Sequence, residues 1–251
     1  MTEEEIRIML EQVPGSKRAV DGIIIETDDG SMLHLTGTGK TDPDLDLSER
    51  FLVGFCTKNE ILRLRNLRTA HDYLLRVRAE AIADSPRAVR TFRKRRRLFE
   101  QKLRRWSLMG FYDALNFDAA RYVARLPRRQ KKHIKLIPYG LAPINEANAI
   151  ARHSLLGDGV MVSENLRYFY YFMNSALYGQ SLGIEAPDCI DAAVIALRIM
   201  RCSETFDFDL DPRVMLPPDL EKQFQSMTGR QMEFTFGHEF AHLIEGHLNS
   251  P

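Results

Sequence analysis

Near its C-terminal end the chain reads GHEFAHLIEGH, over residues 237–247. This stretch contains the pattern H-E-x-x-H, formed by His238, Glu239 and His242. Because residues four apart lie on one face of an α-helix, the two histidines can offer imidazole nitrogens to one metal ion. Glu239 lies one step round the helix, close enough to take a proton from a water molecule at the metal without being a ligand. Zinc is the ion we expect, since imidazole suits it and a Lewis acid with an open position makes hydroxide available near neutral pH.

The residues around the two histidines are apolar. They are Phe234, Phe236, Phe240, Leu243 and Ile244. We therefore expect a largely apolar helix whose histidine pair is drawn into the protein interior. A buried pair of imidazoles beside a carboxylate needs a partner, and a metal ion supplies one. The alternative interpretation is a surface helix that carries two histidines and a glutamate by chance.

Length and composition narrow the class of protein. With 251 residues and 44% hydrophobic content, the chain can bury a core in one large domain or two small ones. The sequence holds no apolar run long enough to cross a bilayer, and its acidic start, MTEEE, is unlike a signal peptide. We therefore expect a cytoplasmic protein. The three cysteines are too few and too scattered for a disulfide framework or a cysteine zinc site.

The formal net charge of +1 hides a strong asymmetry. Residues 61–132 hold 21 Lys and Arg against 6 Asp and Glu, whereas the remainder holds 14 against 28. One interpretation is a groove for nucleic acid, or for another acidic partner, on residues 87–132, with Trp106 or Phe99 stacking on bases. A second is a solvated helix face whose charges dock on the acidic remainder, and a third is contact with anionic lipid. The aromatic residues fall on the apolar stripe rather than among the charges, which favours docking.

Hydrophobic periodicity predicts an α+β fold that is mostly helical. The expected segments are 1–57, with a β-hairpin around Asp28-Asp29-Gly30; 58–133, a basic helical region divided at Ser85-Pro86; and 134–251, with a short sheet and the H-E-x-x-H helix. The elements predicted in the third segment are a strand at 133–137, a short helix at 145–151, a strand at 160–162, helices at 166–177 and 191–202, and a helix from Asp219 that breaks at Gly229. We interpret the aromatic run at 168–172 as packed core rather than as the lining of a ligand pocket.

The order of these elements resembles the zincin metallopeptidases. The run GDGVMV, a hydrophobic helix and then H-E-x-x-H are similar to minimal gluzincins, to ImmA/IrrE-type peptidases and to Lit-type phage-exclusion peptidases, over roughly residues 134–248. The resemblance implies a zinc-dependent endopeptidase that hydrolyses a protein substrate, in a phage-defence or stress-response setting. It implies that His238 and His242 are zinc ligands and that Glu239 activates the water. It also implies that Val160-Met161-Val162 is the edge strand along which an extended substrate pairs.

A third protein ligand is missing from this pattern. Gluzincins take it from a glutamate well downstream of the motif, and the sequence here runs to Pro251. His247 follows His238 by nine residues, which at about 100° each puts it on the opposite side of a continuous helix. We expect His247 to interact with the C-terminal end of the helix instead.

Three explanations for the third ligand are open. The chain is part of a longer enzyme whose further portion supplies the ligand; a residue upstream folds back; or the site is incomplete and the protein is a regulator that works through its basic helices. We favour the first, since a helix that carries an active-site motif rarely ends a domain. The upstream candidates are His153, Glu146, Asp158 and Glu164. For an oxyanion stabiliser, the candidates are Tyr139 and Tyr168.

Overall fold

The computed structural model describes residues 3–19, 22–26, 32–36, 44–102, 105–204, 207–213 and 216–247. Over these residues the protein has eleven α-helices and two three-stranded sheets, which confirms the α+β, mostly helical prediction. The chain forms two compact units, Met1–Gly54 and Phe55–Pro251. The boundary predicted at residue 133 therefore falls inside the second unit. None of the described helices has the length and apolar character that a membrane span requires.

The first unit contains a small antiparallel sheet. Its elements are α1 (Glu3–Gln12), β1 (Ser16–Ala19), β2 (Gly22–Glu26), β3 (Met32–Thr36) and α2 (Leu47–Leu52). Strands β2 and β3 pair from Gly22 opposite Thr36 to Glu26 opposite Met32, which confirms the predicted hairpin. The turn predicted at Asp28-Asp29-Gly30 lies outside the described residues. Strand β1 pairs with the other side of β2, although no hydrophobic pattern in the sequence predicts this strand.

The second unit contains most of the helices and the second sheet. Its elements are α3 (Lys58–Arg65), α4 (Ala70–Ala83), α5 (Pro86–Gln101), α6 (Leu108–Leu115), α7 (Phe117–Arg125), α8 (Arg128–Ile134), β4 (Tyr139–Ala142), β5 (Ala149–Ser154), β6 (Gly157–Ser163), α9 (Glu164–Tyr178), a short 3-10 helix (Gln180–Leu182), α10 (Ala186–Met200) and α11 (Pro218–Ile244).

Polar side chains fix where the basic helices begin. Ser85 accepts a hydrogen bond from the backbone N–H of Ala88 and Pro86 lies in the first turn of α5, as the sequence predicts. At the start of α4, Thr69 and Asp72 form a capping box. Burial raises the pKa of Asp72, but hydrogen bonds from Arg63 and Thr69 outweigh this, so the pKa lies below its ordinary value.

One arginine of the basic region is buried and docks on acidic residues. The Arg95 guanidinium contacts Glu164, with Nη2–Oε2 3.1 Å, and Asp209, with Nη2–Oδ1 2.8 Å. Arg95 and Glu164 are both buried, and Tyr112 donates its hydroxyl to Glu164 Oε1 at 2.5 Å. The docking interpretation of the basic region is therefore correct for Arg95.

The second sheet has the order β4-β6-β5. Strand β6 lies in the centre, parallel to β4 and antiparallel to β5. The prediction that Val160-Met161-Val162 is an edge strand is therefore wrong. All three residues are buried, and a continuous apolar run of this kind is typical of a strand covered on both faces. The edge strand on the other side of β6 is β5, where the sequence analysis predicted a helix at 145–151.

Two further local predictions were wrong. Residues 133–137 continue the turns of α8, with Leu136 N–H donating to the His133 carbonyl, and form no strand. Helix α11 runs through Gly229 without a break. A Cβ on Gly229 would lie 3.0 Å from Asp118 Oδ1, and one on Gly237 would lie 2.6 Å from the Tyr122 ring. These two glycines let α7 approach α11 closely, and that packing outweighs their helix-propensity cost of about 1 kcal/mol each.

Candidate metal centre

The two histidines of the motif face each other on α11. His238 Nε2 and His242 Nε2 lie 3.1 Å apart, with the ring planes at 88°. The Glu239 carboxylate belongs to the same group, because one ligand atom from each of the three residues lies within 4.8 Å of the others. The structure thus brings together the three residues that the sequence predicts. It does so because a continuous helix places residues one turn apart on one face.

The geometry of the histidine pair fits zinc. Two Zn–N bonds of about 2.05 Å that span 3.1 Å enclose an angle of about 98° at the metal, near the tetrahedral value. The distance between the two nitrogens is therefore compatible with one shared ion. The same separation suits a hydrogen bond in which one Nε2–H donates to the other ring. Two imidazoles and one carboxylate suit zinc better than magnesium or calcium, which prefer oxygen ligands.

The histidine pair lies at the protein surface, so the prediction that it is drawn into the interior is wrong. His238 is exposed and His242 is half-buried, whereas Glu239 is only 8% exposed. Helix α11 buries Phe236 and Phe240, and the histidines lie two residues, or about 200° round the helix, from Phe240, on the opposite side. The candidate site is consequently open to a large substrate.

Glu239 is hydrogen-bonded to the edge strand of the sheet. The backbone N–H of Ala151, on β5, donates to Glu239 Oε2 at 2.6 Å. Ser163 N–H donates to the Asn148 carbonyl, so the backbone groups of Asn148 face β6. Along an antiparallel strand, residues whose backbone groups face the neighbour alternate with residues whose groups face away. Ala151 lies three residues after Asn148, so its N–H points away from β6. Glu239 Oε1 accepts no hydrogen bond from the described residues. The carboxylate is therefore fixed at one oxygen and available at the other.

Aromatic rings support α11 behind the candidate site. The Phe240 ring stacks on Tyr122, with centroids 5.9 Å apart, and meets Tyr139 edge-on at 5.3 Å. Burial raises the pKa of Tyr139. Tyr168 packs against Phe208 at 4.6 Å. Neither of the tyrosines named as oxyanion stabilisers therefore contacts the histidine pair through its ring.

His247 contacts the site, although the helical count predicts that it lies on the far side. Helix α11 ends at Ile244, and Gly246 adopts a φ of +70° that turns the chain back. His247 Nδ1 consequently lies 3.2 Å from His242 Nδ1. A neighbour at this nitrogen orients the ring and leaves Nε2 directed at His238. The prediction failed because residue 247 lies beyond the helix.

The upstream candidates for a third ligand do not join the group of His238, Glu239 and His242. His153 Nδ1 lies 2.6 Å from Asp158 Oδ1, within the hairpin of β5 and β6. Both Glu164 oxygens accept hydrogen bonds from Arg95 or Tyr112, and Glu146 is exposed. The described residues thus offer zinc two imidazole nitrogens, with the Glu239 carboxylate beside them as the candidate base.

Three contacts of the site were missed from sequence: the Ala151 N–H on Glu239, the His247 ring on His242, and the Tyr122 ring on Phe240. The spacing of Gly229 and Gly237, eight residues apart on one helix, was a sequence signal for close packing of another element against α11, although it did not identify Tyr122 as the contact. No pattern in the sequence predicts the other two contacts, that of Ala151 with Glu239 and that of His247 with His242. No protein-family model, curated protein or solved structure matches the chain.

Proposed function

We propose that the protein is a zinc-dependent endopeptidase that cleaves an extended segment of a protein substrate. The observation that supports this is the 3.1 Å separation of His238 Nε2 and His242 Nε2, with the Glu239 carboxylate in the same group. His238 and His242 would hold the ion through Nε2. Zinc, when bound, supplies a Lewis acid that polarises a carbonyl group and makes water more acidic.

Glu239 is the general base in this proposal. Its Oε1 takes a proton from the attacking water as the bond between the water oxygen and the scissile carbon forms. The same carboxyl later gives that proton to the amine as the C–N bond breaks. The Ala151 N–H holds Oε2 at 2.6 Å, and Oε1 accepts no hydrogen bond from the described residues, so Oε1 is the oxygen that we assign to the proton transfer.

The edge of β5 is the proposed place for the substrate. Two of its outward-facing N–H groups already have acceptors, Glu239 Oε2 for Ala151 and Asn148 Oδ1 for Ala149, so an extended peptide would pair through the remaining backbone groups of this edge. Phe234 is 76% exposed and its ring stacks on His238 at 6.5 Å. It offers an apolar contact for a substrate side chain near the scissile bond.

The test compares Glu239→Gln with a matched control, Glu245→Gln, which removes an exposed carboxylate of the same stretch. Zinc content is measured by mass spectrometry, and cleavage of a peptide library by the zinc-loaded protein is followed alongside. We expect both variants to bind zinc and only Glu239→Gln to lose cleavage, by about 10²-fold or more. If Glu239→Gln cleaved the peptides as fast as the wild-type protein, Glu239 would not be the general base. If the wild-type protein did not bind zinc, the proposed function would be refuted.

We also propose that the exposed face of α5 binds an anionic partner, of which nucleic acid is the one we favour. Arg90, Lys94 and Arg97 recur at helical spacing on one face, and all three are exposed. None of them forms an ion pair or hydrogen bond with another described residue. Their charge is thus available to phosphates, unlike that of Arg95.

Neutralising all three residues to Gln tests the second proposal. Affinity for a DNA oligonucleotide is measured at several salt concentrations, and we expect the slope of log K against log salt to fall by about 2–3. The control neutralises three surface arginines that have carboxylate partners, Arg7, Arg76 and Arg125. No binding of wild-type protein at low salt, or an equal loss in the control, would exclude the proposal.

A further inference from the structure

A cavity of about 540 Å³ lies in the second unit, between α9, the N-terminal part of α11 and the residues Phe208, Asp209, Pro212, Arg213 and Leu216. Its size is typical of a small-molecule site and far exceeds the voids that a packed interior leaves. Its apolar lining residues are Leu115, Phe117, Leu141, Tyr168, Tyr171, Phe172, Phe208, Pro212 and Leu216.

The aromatic run of α9 plays two roles. Phe172 packs with Ala192, Ala196 and Ile199 of α10 in a hydrophobic cluster, as the sequence analysis expected. Tyr168 and Phe172 also line the cavity, together with Phe208. The wall can therefore bury a large apolar or aromatic body.

The carboxylates that line the cavity are already satisfied by the protein. Glu164 accepts hydrogen bonds from Tyr112 and Arg95, and Asp209 accepts two more from Arg95. Glu221 accepts from the Tyr171 hydroxyl at one oxygen and from Gln225 Nε2 at the other. A cationic ligand would find no free carboxylate among these groups.

Arg213, another lining residue, is paired with Glu204 and Asp207. Apart from the Gln225 side-chain oxygen, the polar groups of the lining that remain available are donors. Arg167 gives Nη1–H to Asp118 Oδ2 at 2.6 Å, and its other N–H groups have no acceptor among the described residues. Asp118 is shared, since Arg121 also donates to it. The Tyr168 hydroxyl likewise has no hydrogen-bond partner in the described part of the chain, and burial raises the pKa of its phenol, which keeps the proton in place. An anionic acceptor on a ligand can accept from Arg167, and the Tyr168 hydroxyl is a second donor in the same lining.

The cavity is separate from the candidate metal centre. Gln225, which lines it, precedes His238 by thirteen residues on α11, or about 20 Å along the helix axis. None of the three metal-centre residues lines the cavity.

We propose that this cavity binds a small molecule with an aromatic or other apolar body and one anionic group, which Arg167 and Tyr168 receive. The site is independent of the proposed peptidase activity.

The test uses two fluorescent probes on the full chain: the anionic 1-anilinonaphthalene-8-sulfonate and its neutral analogue N-phenyl-1-naphthylamine. We expect saturable, one-to-one binding of the anionic probe to the folded protein, tighter than that of the neutral one. Leu216→Trp, which fills the cavity, should abolish the binding of both. Binding without saturation, or binding that Leu216→Trp leaves unchanged, would show that the cavity is not the site.

Two further variants test the anionic group. Arg167→Met should weaken binding of the anionic probe about tenfold, as expected for one charge-assisted hydrogen bond, and leave the neutral probe unaffected. Arg121→Met is the matched control, because it removes the other guanidinium partner of Asp118 without touching the cavity lining. Tyr168→Phe keeps the aromatic ring and removes the hydroxyl donor. If Arg167→Met fails to fold, the binding of the two probes to Tyr168→Phe tests the anionic group instead. Equal binding of both probes to wild-type protein, or equal loss in Arg121→Met, would overturn the proposed anion specificity.

Discussion

Removal of the Glu164 carboxylate should lower the free energy of unfolding of the protein and leave its zinc content unchanged. Glu164 is buried, and it is the acceptor for both the Tyr112 hydroxyl, at 2.5 Å, and Arg95 Nη2, at 3.1 Å. In Glu164→Ala the buried Arg95 loses its buried carboxylate partner and keeps Asp209, whose side chain is 42% exposed, while the Tyr112 hydroxyl loses its acceptor.

The magnitude follows from these contacts. Loss of one partner of a buried ion pair costs about 3–5 kcal/mol, and an unsatisfied buried hydroxyl costs about 1–3 kcal/mol. Because the two losses share one carboxylate and Asp209 remains, we expect a total of about 3–5 kcal/mol. For a unit of this size that lowers the midpoint of thermal unfolding by roughly 10 °C. Glu164→Gln keeps an acceptor for Tyr112, so it should cost about half as much.

The assay is urea and thermal unfolding followed by circular dichroism, with zinc measured by mass spectrometry on the folded protein. Glu146→Gln is the control, since Glu146 is exposed and should change stability by less than about 0.5 kcal/mol. Normal stability of Glu164→Ala together with loss of zinc would refute the reasoning, because Glu164 would then be a metal ligand rather than part of the Arg95 network.

Three further predictions concern individual contacts. Gly237→Ala puts a methyl group 2.6 Å from the Tyr122 ring and should destabilise the protein by about 1–3 kcal/mol in urea unfolding, whereas a gain in stability would show that α7 yields easily. Asp72→Asn should lower the free energy of unfolding by about 1–3 kcal/mol at pH 7. Because the pKa of Asp72 is depressed in the folded protein, its stabilising contribution is present above about pH 4 and is lost as the pH falls through the folded pKa. The difference in stability between the variant and wild type should therefore shrink in acid. A difference that persists unchanged at low pH would mean that the charge is not the cause. His247→Ala should weaken zinc binding about 10–100-fold in a chelator competition, and His242→Ala should weaken it further; equal affinity of His247→Ala and wild type would exclude a positioning role for His247.

The amino-acid sequence was sufficient for features that depend on local periodicity. The spacing of His238, Glu239 and His242 predicted their proximity, because the helical repeat fixes where residues one turn apart lie. Ser85-Pro86 predicted the start of α5, since a side-chain cap and a proline act within one turn. The N-terminal hairpin followed from two apolar runs on either side of a turn signal.

Features that depend on residues far apart in the chain emerged only from the folded unit. The central position of β6, the pairing of Glu239 with Ala151, and the burial of Arg95 against Glu164 each join segments that no local pattern relates. The apolar run of β6 signals burial, but hydrogen bonding to two neighbours rather than one depends on where β4 and β5 pack. The cavity beside α9 has the same origin, because its volume is what the surrounding elements leave unfilled once their own contacts are made.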